Sequence, residues 1–162
     1  MDNLKDVYID QLQDLYSANR QAAKIVDELA KAASSTVLRE ALERGVDGIR
    51  DGAQNLETLI RAKDANPSAE HCKGMEGLVR EAKAHALNTE FGMDAVRDAV
   101  IITQYQRMAH YAIAGYGCAA AFAKQLGLDD DAATLSGMLD AAYSGDKTMS
   151  EIAEQKINER AA

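Results

Sequence analysis

Apolar positions recur along this chain at helical spacing, and almost nothing interrupts them. From Leu4 to Ala33 there is no Pro or Gly, and Leu12, Leu15, Ala22, Val26 and Leu29 mark one face. Ser34 and Ser35 follow as punctuation, either one suited to cap the next helix. A second periodic run passes through Leu38, Leu42, Ile49, Leu56 and Leu59. It must stop before Asn66-Pro67, because a proline pushes the preceding residue out of helical geometry. Ser68 to about Ala86 predicts a shorter helix, and Asn88-Thr89-Glu90-Phe91-Gly92 a loop. A third long helix is expected from near Asp94 to Leu126, ended by Gly127 as a left-handed cap. Asp129, Asp130 and Asp131 place negative charge at the start of the fourth, favourable against the helix dipole. That helix is expected to turn Leu135, Met138, Leu139, Ala142, Met149 and Ile152 inward and to fray near Glu159.

The order is helix, short turn, helix, long connection, helix, short turn, helix. Short turns make antiparallel neighbours, and a connection of roughly 30 residues can cross the length of a bundle. The expected fold is all-α, a ferritin-like four-helix bundle with a short extra helix in the crossover, in one domain spanning 1–162. Two helical hairpins without the crossover remain open on periodicity alone.

Composition agrees with one helical core. The 162 residues are 47% hydrophobic, with one proline and eight aromatics. A net charge of −8 argues against nucleic acid and against anionic membrane surfaces, both of which call for basic patches. No stretch approaches the roughly 20 apolar residues of a membrane span, and the N-terminus shows no secretory pattern; the cytoplasm is the expected location. Cys72 and Cys118 lack metal-clip spacing and are expected to be buried thiols.

Three segments carry a resemblance. Tyr16-Ser17-Ala18, the run Cys72-Lys73-Gly74-Met75-Glu76-Gly77-Leu78, and Gln106 with His110-Tyr111, Ile113-Ala114 and Tyr116-Gly117 resemble the YciE/YciF-like family of bacterial ferritin-like, stress-associated proteins. The likeness covers about residues 2–157. It implies a homodimer and a two-metal carboxylate site, holding iron or manganese, inside the bundle. Such a site needs several inward carboxylates, usually with imidazole.

The positions where the family carries ligands are here occupied by other residues. Asn19 stands where the first helix offers a Glu after Tyr-x-Ala. The second helix, usually His-Leu-x-Glu-Thr, reads Gly45-Val46-Asp47-Gly48-Ile49. The third, usually Val-Glu-His-Tyr-Glu, reads Met108-Ala109-His110-Tyr111-Ala112. The acidic pair of the fourth, after Leu139-Asp140, is Ala141-Ala142. A cluster of buried carboxylates without cations is strongly unfavourable, so ligands would be lost together.

No residue is assigned a catalytic, cofactor-binding or metal-ligating role. Asn19, Gly45, Gly48, Ala109, His110, Ala112 and Ala142 are the vacated positions. The expected function is a non-catalytic, metal-free scaffold in a stress context, acting through contacts with an unidentified protein. The alternatives are an iron or manganese carboxylate protein with atypical ligands, and a binder of a small apolar ligand in the vacated site.

Single residues read more plainly. Asn19 lies on the apolar stripe and wants a partner, for which Tyr16, Tyr105, Tyr111 or Tyr143 would serve. His110 is expected in the interior or at an interface; His71, His85, Glu76, Glu81, Asp47 and Asp51 are expected on the surface. Gly45, Gly48 and Gly52, with Ala109, Ala112 and Gly115 and with Ala142 and Gly145, form small stripes. Close packing, or infilling by Tyr16, Tyr105 and Tyr143 and by methionines, is the expectation, since interiors reach crystal-like density.

Overall fold

Asn3 opens the first helix by accepting the Asp6 amide at 3.1 Å, and α1 then runs Leu4–Ala32. Ser35 caps α2 (Thr36–Arg61) through the Leu38 amide. The turn between them is held from outside: buried Asp98 accepts from the amides of Ser34 and Ser35, each at 2.9 Å. The computed structural model describes all residues, Met1–Ala162. α4 (Asp94–Gln125) and α5 (Asp129–Ile152) form the second hairpin, turned at Gly127 with φ +71°. α1 and α4 stand side by side and antiparallel, so that Asn19 meets Tyr116 and the α1–α2 turn meets Asp98. α2 and α5 lie opposite one another and touch only sparingly.

The crossover differs from expectation at its start. The short helix α3 spans Lys73–Ala82 and continues as a π-helical turn, Lys83–Leu87. Residues 68–72 are outside it because the chain turns again after Pro67, with Asn66 Oδ1 accepting the Ser68 amide at 3.0 Å. Cys72 is the N-cap, its sulfur accepting the Met75 amide at 3.3 Å. The C-terminus also differs: after a second π-helical turn, Ala153–Ile157, the chain stays helical in α6 (Asn158–Ala161) rather than fraying near Glu159. Ile157 is buried against the core, which holds this end down.

Apolar side chains gather in two clusters. One joins Ile25, Val26, Leu29, Leu38 and Leu42 to Ile101, Met108 and Met149. The other joins Tyr8, Leu12, Leu15, Leu56 and Ile60 to Tyr116 and Leu135. Of the six inward positions expected on α5, only Leu135 and Met149 are fully buried; Met138, Leu139, Ala142 and Ile152 are half-buried. Cys72 is buried as expected, whereas Cys118 is exposed, on the outer face of α4.

Candidate functional site

Between α2 and α5 the bundle is open. A groove of about 720 Å³ runs there, floored by Val26, Met75, Tyr105, Met108 and Tyr116 and walled by the small residues of the two facing helices. Its volume falls within the range of pockets that take small molecules. Six of the seven vacated positions line it: Asn19, Gly45, Gly48, Ala109, Ala112 and Ala142. The seventh does not. His110 points away, its side chain 64% exposed and its Nε2 3.2 Å from Asp146 Oδ1. Of the two placements expected, interior or interface, this corrects the interior one: its neighbours on α4, Ala109 and Ala112, take the inward faces.

The small stripes are closed or infilled, as expected, at Gly45, Gly52, Gly115 and Gly145, and stand open at Gly48. A methyl group built on Gly48 would meet nothing within 4 Å, and Gly48 is exposed rather than core-facing. Gly52, on the same face of α2, is tight: a methyl there would lie 3.0 Å from Asn19 Nδ2 and 3.3 Å from Tyr116 Oη. Infilling is partial. Tyr105 does enter the space and Met138 lines it, but Tyr143 is 54% exposed and turns to solvent. Tyr16 is half-buried beside Glu57, with their oxygens 3.5 Å apart.

Polar groups in the groove are few and specific. Asn19 is buried as expected, but its partner is Tyr116, whose hydroxyl accepts from Nδ2 at 2.6 Å, and not one of the four tyrosines singled out from sequence. Burial raises the Tyr116 pKa to about 12, partly offset by this bond, so the hydroxyl keeps its proton. Tyr105 is only 8% exposed and makes no hydrogen bond to the protein; burial, then the nearby Asp146 carboxylate, pushes its pKa up as well. Gly45 and Gly145 flank its hydroxyl: a methyl at either would come within 3.2 or 2.9 Å of Tyr105 Oη. At the rim stand Arg44, Asp51 and Asn55 of α2 and Thr134, Ser144 and Thr148 of α5.

These donors do not fit a two-metal carboxylate centre. Asp51, exposed at the rim, is the one carboxylate lining the groove, and no imidazole lines it. Nowhere in the chain do three His, Cys, Asp or Glu side chains gather as a metal site would require. His71 and His85 lie on the surface as expected, next to Glu76 and Glu81, and Asp47 pairs weakly with Arg50 there.

A second polar cluster fixes the crossover rather than the groove. Tyr111 donates to Asp14 Oδ2 at 2.8 Å, and Cys72 Sγ lies 3.0 Å from the same hydroxyl. The Cys72 amide donates to Ser17 Oγ at 3.0 Å, and its carbonyl accepts from Gln21 at 3.0 Å. A methyl on Gly74 would sit 2.8 Å from the Tyr111 ring, so α3 lies directly on it. The segments singled out from sequence, Tyr16-Ser17-Ala18, Cys72–Leu78 and His110-Tyr111, thus meet at one junction. Sequence reasoning missed the buried Asp98 and the Lys63–Asp131 ion pair, on which Tyr8 also donates at 2.8 Å. For Asp98 the only sequence signal is charge on an otherwise apolar stripe; Lys63, in the turn after α2, and Asp131, in an acidic run, carry none for their pairing.

Comparison with known proteins gives one picture. Residues 3–162 match the family described as a domain of unknown function, DUF892. Protein YciF of Escherichia coli (strain K12) is 30% identical over 99% of this chain and 96% of its own. The crystal structure of the E. coli stress protein YciF superposes with a TM-score of 0.90, covering 98% of this chain and 99% of that one. YcfI of Rhodopseudomonas palustris, provisionally described as a structural protein, superposes at 0.86 with 25% identity, over 93% and 94% of the two chains.

Proposed function

Because the chain belongs to the YciF-like DUF892 family, we propose that it is a stress-associated, metal-free and non-catalytic bundle protein that works by binding, with the α2–α5 groove as its binding site for a small apolar molecule. The observation that carries this reading is the open space at Gly48, on a wall of glycine and alanine where the family's ligands would stand. Glycine costs about 1 kcal/mol of helix propensity relative to alanine. Three of them on one face of α2 are a cost that close packing repays at Gly52 but not at Gly48. The groove repays it as accessible volume.

The same absence of gathered donors weighs against iron or manganese with atypical ligands. The scaffold role expected from sequence is kept in part: contacts with proteins would be made by the outer faces of α4 and α5, where Tyr143 is exposed. A cytoplasmic homodimer is the assembly state proposed here, in line with the resemblance.

An environment-sensitive apolar dye tests the binding reading. Native protein should take up about one dye per chain, saturably, at concentrations where its melting transition is unchanged or raised. Uptake that appears only as the protein unfolds would overturn the reading.

A further inference from the structure

We propose that the groove takes a single-chain fatty acid, its carboxylate held by Arg44 and the Tyr105 hydroxyl and its chain lying along the glycine wall of α2. This rests on the reading of the groove as a ligand site and goes further by assigning the ligand's polarity and direction.

Two hydrogen-bond donors at one end of the groove lack a partner. Arg44, exposed at the rim, lines the groove and forms no ion pair or hydrogen bond within the chain, whereas Arg50, further along α2, pairs with Asp47. Tyr105 is more than nine-tenths buried, reaches the groove from α4, and makes no hydrogen bond to protein. The two belong to the same end, because Tyr105 Oη lies against Gly45, the residue after Arg44. The Tyr105 hydroxyl reaches the groove with its donor unused by the protein, and a guanidinium offers donors only. The complementary group accepts from both and donates to neither, which describes a carboxylate.

Charge along the groove gives the direction. Its lining holds two charged side chains, Arg44 and Asp51. Asp51 is seven residues further along α2, about 10 Å away by helical rise, so an anionic head is favoured at the Arg44 end only. Asp146 faces Tyr105 from α5 without lining the groove, its Oδ1 3.2 Å from His110 Nε2; its charge opposes an anion at the Tyr105 hydroxyl, and Arg44 is the group that offsets it. From Arg44 to Asn55 the wall extends for about 16 Å. Over that length Gly48 and Ala142 leave room and Met138 offers apolar contact. An extended acyl chain of medium length fits this shape; a second charged group does not.

Displacement of the bound dye from the full chain by dodecanoate, dodecanol and dodecylamine, each below its micelle concentration, tests the assignment. Dodecanoate should displace the dye at concentrations about tenfold lower than dodecanol, with dodecylamine weakest. Arg44→Gln, an exposed substitution checked by an unchanged melting transition, should abolish that preference and leave dodecanol binding as it was. Tyr105→Phe should reduce the preference several-fold. Equal displacement by dodecanoate and dodecanol, or a preference that survives Arg44→Gln, would overturn the head-group assignment while leaving an apolar groove. Absence of any saturable dye binding would instead remove the groove reading and this proposal with it.

Discussion

Gly115 and Gly48 lack the same side chain under opposite constraints. A methyl on Gly115 would lie 2.5 Å from Leu15 Cδ2 in the contact between α4 and α1. Gly115→Ala should therefore destabilise by about 1–3 kcal/mol through overpacking, read by denaturant titration. Asp98 is the second residue whose role is narrow. It is buried and receives two backbone amides from the α1–α2 turn. Asp98→Ala orphans both and should cost about 2–4 kcal/mol, with Asp98→Asn recovering part because its amide oxygen still accepts. At this scale the sequence was legible for burial and less so for partners. Asn19 stood on the apolar stripe and is buried, but spacing along one helix carries no information on which tyrosine of α4 faces it. Tyr116 lies on the same face as Ala112 and Gly115, and only the register of α1 against α4, set by the Leu15–Gly115 contact, brings its hydroxyl to Asn19.

Three tyrosines tie the helices together, and each is held neutral. Tyr8 of α1 donates to Asp131 of α5, Tyr111 of α4 donates to Asp14 of α1, and Tyr116 of α4 accepts from Asn19 of α1. Burial is the largest cause of the raised pKa in all three; the carboxylate partners add to it at Tyr8 and Tyr111. A phenol whose folded pKa exceeds its unfolded value of about 10 contributes stability that is full below pH 10 and lost as pH rises through the folded value. Unfolding free energy should accordingly fall between pH 10 and 12, by about 2 kcal/mol from Tyr116 alone. Tyr116→Phe should flatten that slope. A stability that is level across this range would contradict the assigned environments.

Element boundaries were legible where a local signal ended them, as with Gly127 and the acidic start of α5. They were not where a tertiary contact did so: Cys72 begins α3 because Ser17 and Gln21 of α1 grip its backbone. Periodicity also could not reveal that α5 would bury so little. An alanine-rich helix has the same pattern whether its neighbour closes on it or stands off, so an open groove and a packed seam look alike in one dimension.

At the scale of the whole molecule, a bundle of the DUF892 family carries a groove whose lining lacks the donors of a two-metal carboxylate site. Protein prepared with iron or manganese available should carry no stoichiometric metal after desalting, by elemental analysis; two ions per chain would contradict this. Light scattering should give the mass of a homodimer across a wide concentration range. The most direct measurement of the central claim is the thermal denaturation of Gly48→Leu. In an open groove the β-carbon at this position meets nothing within 4 Å, and the leucine extends into free space and replaces a flexible residue, so the melting temperature should hold or rise. If the stripes of α2 and α5 close on one another in solution, the same side chain is overpacked by about 1–3 kcal/mol. A fall of several degrees would then contradict the groove and the binding function built on it.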